Sequence, residues 1–556
     1  MPVSRSTCFG SSASESSKAS DASSVITGGT RVGDVPLYSV EAPGPRRAVL
    51  AFRVGRADET LAWAGLTHLV EHLALLPFKE QPYSYGGQVE GARTLFYVQG
   101  TDAQIREFFD RLCESLCGLP FDRLADEARL LETEAQSRQG GALSTLLGGR
   151  YGCQSWGLIN YPEYALFHPE PDRVKAWADE WFTAENAVLG VSGPMDPPPV
   201  VDLAHGRRMP TPALLPLPSV RTPAWMHERE AGLGMSFIAP YSVRFAALLR
   251  VLQRHGLSRL RYGESLSYEV SSATLRLGSE LTHGIVWADG LPENLSKVLT
   301  GMLAVLDEVM EKGPTGAELR EDVDVLRKST ENPGWAMAML DSQLTHELFG
   351  TRMLTVDEVI VELEKATPAE YAALLSEVFP SLLSIVPAGV AVLDPRLTAV
   401  PSWSTGEAQG RAYRLRAAPS AVAQMTTLTV SDTAISLRLG PGKLVTIPYA
   451  ECAAALAWDD GSRTLLSLDS FRLHVRPDDW KDGAEVAAAL ARHLPKDVMV
   501  PAGPRPNPDP DVLSGERPPA KTKTRRIEWS RAVVTLVTGL VMLAIYLTIK
   551  ALTTGH

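Results

Sequence analysis

The chain has 556 residues, enough for three or four domains, and its 45% apolar and 21% charged residues are an ordinary globular balance. A formal net charge of −11 argues against nucleic acid as a partner. The five cysteines (Cys8, Cys113, Cys117, Cys153 and Cys452) are odd in number and suggest no disulfide framework, which fits a reducing compartment. Cys113 and Cys117, four apart on one side of an expected helix, read as buried thiols.

Residues 1–29 are Ser-rich, lack an apolar core, and read as a disordered tail with no signal peptide. The first chemistry stands at His68-Leu69-Val70-Glu71-His72. Histidines four apart share one helix face, so both imidazoles can reach one metal ion, and Glu71 sits beside them. Leu69, Val70, Leu73, Leu75 and Leu76 make the helix mostly apolar, and polar groups buried there need partners. This H-x-x-E-H order points to zinc peptidase chemistry, which requires a third protein ligand and a position for water. The helix-forming run Asp126–Glu134 places Glu127 and Glu134 seven apart on one face, with Glu132 pointing elsewhere.

These runs resemble the pitrilysin/insulinase family of metallopeptidases. Val54-Gly55-Arg56-Ala57-Asp58-Glu59 is similar to the strand end and acidic turn before that family's zinc helix. Gly86-Gly87 followed by Thr94-Leu95-Phe96-Tyr97 resembles its Gly-Gly turn and next strand, and Trp181–Leu189 its helix-to-strand passage. The resemblance implies Zn²⁺ held by His68, His72 and Glu134, with Glu127 supporting the site and Glu71 as general base. Two departures stand out. His72 and Glu134 are 134 − 72 = 62 positions apart, fewer than is usual, and Glu90-Gly91 replaces the common Asn-Ala. Because that strand is where substrate is expected to add on, the second change bears on substrate pairing and specificity.

The zinc domain is expected over residues 30–205, a Pro-rich linker over 206–223, and a second, zinc-less α/β domain of similar fold over 224–395. The amphipathic runs Leu291–Lys312 and Thr315–Thr330, broken by Gly313-Pro314, are its expected helices. Within it, Arg261-Tyr262-Gly263-Glu264-Ser265-Leu266-Ser267-Tyr268 resembles the family's second-domain motif. That likeness implies that Arg261 binds substrate and Tyr268 donates to the developing oxyanion. The family's clamshell has four such domains and this chain has room for two. A homodimer, or a heterodimer with a zinc-less homologue, is therefore expected to complete it.

From residue 411 to 497 short alternating segments end in one helix-like run, Gly483–Leu494, and resemble a pleckstrin-homology-like β domain. A Pro-rich and basic linker (498–530) leads to an expected transmembrane helix at 531–550, in which Ala532–Ile549 are uncharged and mostly apolar. Lys521, Lys523, Arg525, Arg526 and Arg531 precede it and Lys550 follows, so the positive-inside rule places the folded domains in the cytoplasm of a single-pass, tail-anchored protein. The overall expectation is an α/β chain: two insulinase-like domains, a β-rich domain and one membrane helix. Its expected function is that of a membrane-anchored zinc metalloendopeptidase acting on peptides or unfolded segments. The alternatives are an inactive family member serving as scaffold or assembly subunit, and a membrane-tethered adaptor using the β domain.

Overall fold

Apolar alternation in Arg47–Phe52 and Thr94–Gln99 pairs the two as antiparallel strands, Leu50 opposite Phe96, with both side chains fully buried. They form the centre of the first sheet in the computed structural model, which describes residues 26–79, 81–137, 141–228 and 232–504. In chain order the strands are β1 (Thr27–Val32), β2 (Val35–Val40), β3 (Arg47–Phe52), β4 (Ser84–Val89), β5 (Thr94–Gln99) and β6 (Ala187–Ser192), arranged β1-β2-β6-β3-β5-β4. The helices α1 (Leu66–Leu75), α2 (Asp102–Cys117), α3 (Leu124–Ser137), α4 (Ala142–Tyr151) and α5 (Pro171–Trp181) complete this domain. Strand β4 is an edge and, among the described residues, pairs only with β5.

The second domain repeats the plan. Strands β7 (Ala224–Glu228), β8 (Gly232–Pro240), β9 (Val270–Arg276), β10 (Leu281–Asp289), β11 (Leu383–Pro387) and β12 (Thr398–Ala399) run in the order β12-β7-β11-β8-β10-β9. Five strands match the first sheet in order, β7-β11-β8-β10-β9 against β2-β6-β3-β5-β4. The outer strand differs: it is β12, from the C-terminal end of the domain and parallel to β7, where the first sheet has β1, from the N-terminal end and antiparallel to β2. Its helices are α6 (Val243–Gly256), α7 (Leu295–Lys312), α8 (Gly316–Ser329), α9 (Trp335–Leu348), α10 (Val356–Lys365) and α11 (Pro368–Val378). The two amphipathic runs expected to be helical are α7 and α8, and Gly313, at φ 65°, ends the first.

The two domains exchange helices. From the first domain, α4 packs against β8 and β11, and from the second, α9 packs against β2 and β6. Glycines make both approaches close: a Cβ on Gly149 would stand 2.5 Å from Met226 Sδ, and one on Gly190 3.0 Å from Leu344 Cδ1. Buried Arg150 of α4 donates to the backbone of Ser236 and Ser381 in the second domain. Arg93, after the β4 strand, forms ion pairs with Glu90 (2.6 Å) and with Asp341 on α9 (2.9 Å).

The C-terminal part adds two four-stranded sheets. One is the meander β13 (Arg411–Arg414), β14 (Thr427–Val430), β15 (Ala434–Gly440) and β16 (Lys443–Pro448), with the short α12 (Ala421–Met425). The other holds β17 (Cys452–Trp458), β18 (Arg463–Ser467), β19 (Arg472–Val475) and, after α13 (Gly483–His493), β20 (Met499–Gly503) in the order β19-β18-β17-β20.

Several expectations change. The first strand begins at Thr27, inside the segment read as a tail, and β20 extends the β domain past residue 497 by pairing parallel to β17. Gly86 and Gly87 are not a turn but lie within β4; the reversal comes at residues 90–93. Cys113 is buried as expected, whereas Cys117, the last residue of α2, is exposed. The run Leu61–Phe78 is apolar and long enough for a membrane span, but most of it is buried inside the first domain and forms core. The expected transmembrane helix lies outside the described residues.

Candidate metal centre

Helix α1 carries the H-x-x-E-H run, and its first turn is anchored from outside the helix. Glu59 accepts backbone N–H bonds from Gly65 (2.8 Å) and Thr67 (2.7 Å), placing a carboxylate at the helix N-terminus where the dipole favours it. Burial pushes the Glu59 carboxyl up to about 7 despite those bonds. The preceding turn is held by fully buried Arg53 paired with Asp58. The acidic turn noted in the sequence is therefore the cap and brace of the helix.

His68, Glu71 and His72 bring one donor atom each within 4.8 Å of one another. His68 Nε2 lies 3.9 Å and His72 Nε2 3.7 Å from Glu71 Oε2, and His72 Nε2 lies 3.8 Å from Glu134 Oε2. These spacings are too long for hydrogen bonds, and the 3.8 Å between His72 and Glu134 lies within about half an ångström of the ~3.3 Å separating two ligands of one tetrahedral zinc. The other imidazole nitrogens are held from behind. Glu127 Oε2 stands 3.2 Å from His72 Nδ1, and Glu163 Oε1 3.2 Å from His68 Nδ1. A carboxylate on each Nδ1 fixes the tautomer that leaves Nε2 as the ligating atom. Burial, then the neighbouring His68, holds His72 below the usual histidine range, in the neutral form that can ligate. Two imidazoles with carboxylates, each histidine backed by a further carboxylate, is a donor set that fits zinc.

Glu127, expected as the supporting group, contacts His72 and also accepts a 2.9 Å bond from Lys79. Burial works to raise its pKa, but the Lys79 and His72 bonds outweigh that and hold it below the usual carboxylate range. Glu134 is near His72 with its side chain 46% exposed, outside the tight trio, on the same helix face as Glu127. Gly87 explains itself here: a Cβ would fall 1.9 Å from Glu71 Oε1, so only glycine lets β4 lie against the carboxylate. Glu90, read as a departure that would alter substrate pairing, is instead committed inward, to Arg93 and to Gln88 at 3.1 Å.

Arg261 lies in the π-helical turn Leu257–Gly263 that follows α6, and Tyr268 precedes edge strand β9; both are exposed. They meet each other, with the guanidinium 4.8 Å from the Tyr268 ring centre. Glu163 was not found by sequence reasoning. It is 95 positions from His68 in an irregular segment, and its only signal is a carboxylate between Tyr161 and Tyr164. A second trio, Asp34, Glu185 and His205, is a surface ion-pair group in which both carboxylates lie 3.2 Å from His205 Nδ1.

No known family profile and no curated protein matches the chain in sequence. Solved structures do match in fold. A protease from Helicobacter pylori aligns with TM-score 0.53 and 14% identity, covering 65% of this chain and 99% of that one. A peptidase M16 inactive domain from Pseudomonas fluorescens aligns with TM-score 0.53 and 13% identity, covering 66% and 100%. The periplasmic protease PqqL from Escherichia coli gives 0.54 and 11% identity over 79% of this chain and 56% of its own. The chain therefore has the fold of M16 peptidase domains.

Proposed function

We propose that this chain is a zinc-dependent metalloendopeptidase acting on peptides or unfolded segments. One observation carries the reading: two histidines of one helix turn their Nε2 atoms toward the Glu71 carboxylate while Glu163 and Glu127 hold their Nδ1 atoms. His68, His72 and Glu134 would hold the ion, which when bound supplies Lewis-acid chemistry, acidifying water and polarising a peptide carbonyl. Glu71 takes the water proton as general base and passes it to the leaving amine. The unpaired edge of β4, with Gly87 against Glu71, suits a substrate strand adding alongside, so that the scissile bond lies over the carboxylate. Arg261 and Tyr268, exposed on the second domain, would act on the substrate and the oxyanion from the facing half of a homodimer, or of a heterodimer with a zinc-less homologue.

The four-strand meander, three-strand meander and following helix support a pleckstrin-homology-like reading of the β domain. The apolar run 532–549 supports a C-terminal membrane anchor with the folded domains in the cytoplasm. A scaffold or assembly role is the second reading, favoured by the likeness to an inactive M16 domain and by the exposure of Glu134.

The test is hydrolysis of a mixed quenched-fluorescent peptide pool by wild type and Glu71→Gln, with zinc content measured on both. Chelator-sensitive cleavage lost in Glu71→Gln at unchanged zinc content is the expected result. Equal, chelator-insensitive rates in the two proteins would favour the scaffold.

A further inference from the structure

The C-terminal β domain is docked on the segments that lead into and back the H-x-x-E-H helix. Leu61 and Ala62, just before α1, are each 1% exposed and share one buried apolar cluster with Ala454, Leu456 and Val500 of the β domain. The Trp63 indole N–H donates to the Asp497 carbonyl at 3.0 Å. The segment 152–167, which carries the short 3-10 helices Ser155–Asn160 and Tyr164–Phe167, is gripped in the same way. Cys153 N–H donates to the Leu468 carbonyl at 2.8 Å, and the Tyr161 hydroxyl to Ser470 Oγ at 2.5 Å. Gly152 adopts φ 65°, and a Cβ there would lie 1.9 Å from the Leu468 carbonyl oxygen, so the approach admits only glycine.

That gripped segment carries Glu163. Its side chain is 2% exposed, its carboxylate lies 3.2 and 3.3 Å from His68 Nδ1, and its Cβ would stand 2.8 Å from a Cβ on Gly65 at the start of α1. Arg56 ties it further, donating to the Tyr161 carbonyl at 2.9 Å. Glu163 stands in the short non-helical stretch between the 3-10 helices Ser155–Asn160 and Tyr164–Phe167, so its placement follows from how those two turns are seated. Glu163 thus lies between the β domain on one side and the α1 lead-in on the other, where the Ala165 N–H donates to the Ala64 carbonyl at 2.9 Å, while Ser155 is tied to the Ala213 carbonyl further along the chain.

We propose that Glu163 is a positioning residue for His68, and that the C-terminal β domain is the module that holds it there, making the β domain part of the metal centre. The inference rests on the metallopeptidase reading and concerns metal affinity, which can be read without turnover. Strands β17 and β18 fit the role. Ala455 and Leu465 face the β domain's own core, and the alternate residues Ala454, Leu456 and Leu466 face the zinc domain.

The experiment is Zn²⁺ affinity by chelator competition on the full chain in detergent, with the ligand-field spectrum of the Co²⁺ form as a second readout. Glu163→Gln is expected to weaken Zn²⁺ binding about 10- to 100-fold. Ala454→Arg, which drives a charge into the seam, is expected to weaken it about tenfold and to shift the Co²⁺ spectrum in the same direction. Ala454→Ser, which keeps the volume, should restore wild-type affinity. If Ala454→Arg does not fold, the milder pair Tyr161→Phe and Ser470→Ala decides, each expected to weaken binding severalfold. Wild-type affinity in folded seam variants, with Glu163→Gln impaired, would overturn the role of the β domain. Wild-type affinity in Glu163→Gln would overturn the whole proposal. A wild type that binds no Zn²⁺ would remove the metallopeptidase reading and this inference with it.

Discussion

Gly87→Ala isolates the placement of the general base from metal binding. The added methyl would start 1.9 Å from Glu71 Oε1 and 2.6 Å from its Cδ and Cγ, whereas such contacts do not occur below 3.0 Å. The carboxylate must then move by at least 1.1 Å, or β4 must lift away from α1. Glu71 is 5% exposed and hemmed by both histidines, so the shift has no cheap rotamer to follow. A misplacement of about 1 Å costs on the order of 10²-fold in rate, or about 2.7 kcal/mol of transition-state stabilisation. Gly86→Ala is the matched control: its methyl meets the Tyr97 hydroxyl at 2.4 Å, but Tyr97 is 41% exposed and can swing aside. The assay is kcat on a fluorogenic peptide, with zinc content and unfolding temperature measured on the same samples. The expected outcome is a loss of about 100-fold for Gly87→Ala and less than about threefold for Gly86→Ala, both with zinc bound. Equal rates in the two variants would refute the argument that β4 sets the position of Glu71.

Glu127→Gln removes the charge behind His72 and beside Lys79, and should weaken Zn²⁺ binding about 10- to 100-fold by chelator competition; unchanged affinity would separate Glu127 from the site. Arg93→Met leaves Glu90 and Asp341 facing each other across the domain seam and should cost about 3 kcal/mol in denaturant unfolding, with Asp341→Asn costing less. Two buried histidines of the second domain set an acid sensitivity. His283 is fully buried beside Arg150, and burial holds it well below the usual range. Burial, then Arg276, brings His346 down to about 4. Folded values below the unfolded 6.5 mean stability that is complete above pH 6.5 and lost as pH falls toward 4. His346→Gln should therefore lose less stability than wild type between pH 7 and 4.5, by up to about 3 kcal/mol in denaturant titrations. Glu59, pushed up to about 7, works in the opposite direction, so the informative quantity is the difference between the two proteins. Parallel pH curves for wild type and His346→Gln would refute the assignment.

Much of the centre could be read from local periodicity. His68 and His72 share a helix face because 3.6 residues make a turn, and Glu127 and Glu134 share one because they are seven apart. Cys452–Trp458 gave no strand signal because both its faces are buried, one in the β domain and one on the zinc domain, which leaves an apolar run without alternation. Gly86-Gly87 read as a turn because sequence shows only that side chains are absent. The structure shows what replaces them, the Tyr97 hydroxyl and the Glu71 carboxylate. Glu90 read as a substrate-facing change because its partner Arg93 is paired in turn with Asp341, 248 positions further on.

Spacing within one helix was thus enough to nominate His68, Glu71 and His72, because those distances are set by backbone geometry alone, whereas Glu127 and Glu134 share a face by the same geometry but took their roles from the family resemblance. The order of five strands shared by the two sheets, the exchange of α4 and α9, the inward commitment of Glu90 and the placement of Glu163 behind His68 depend on contacts between residues tens to hundreds of positions apart. Only the folded chain decides these, since long-range packing carries no periodicity that a linear sequence can display.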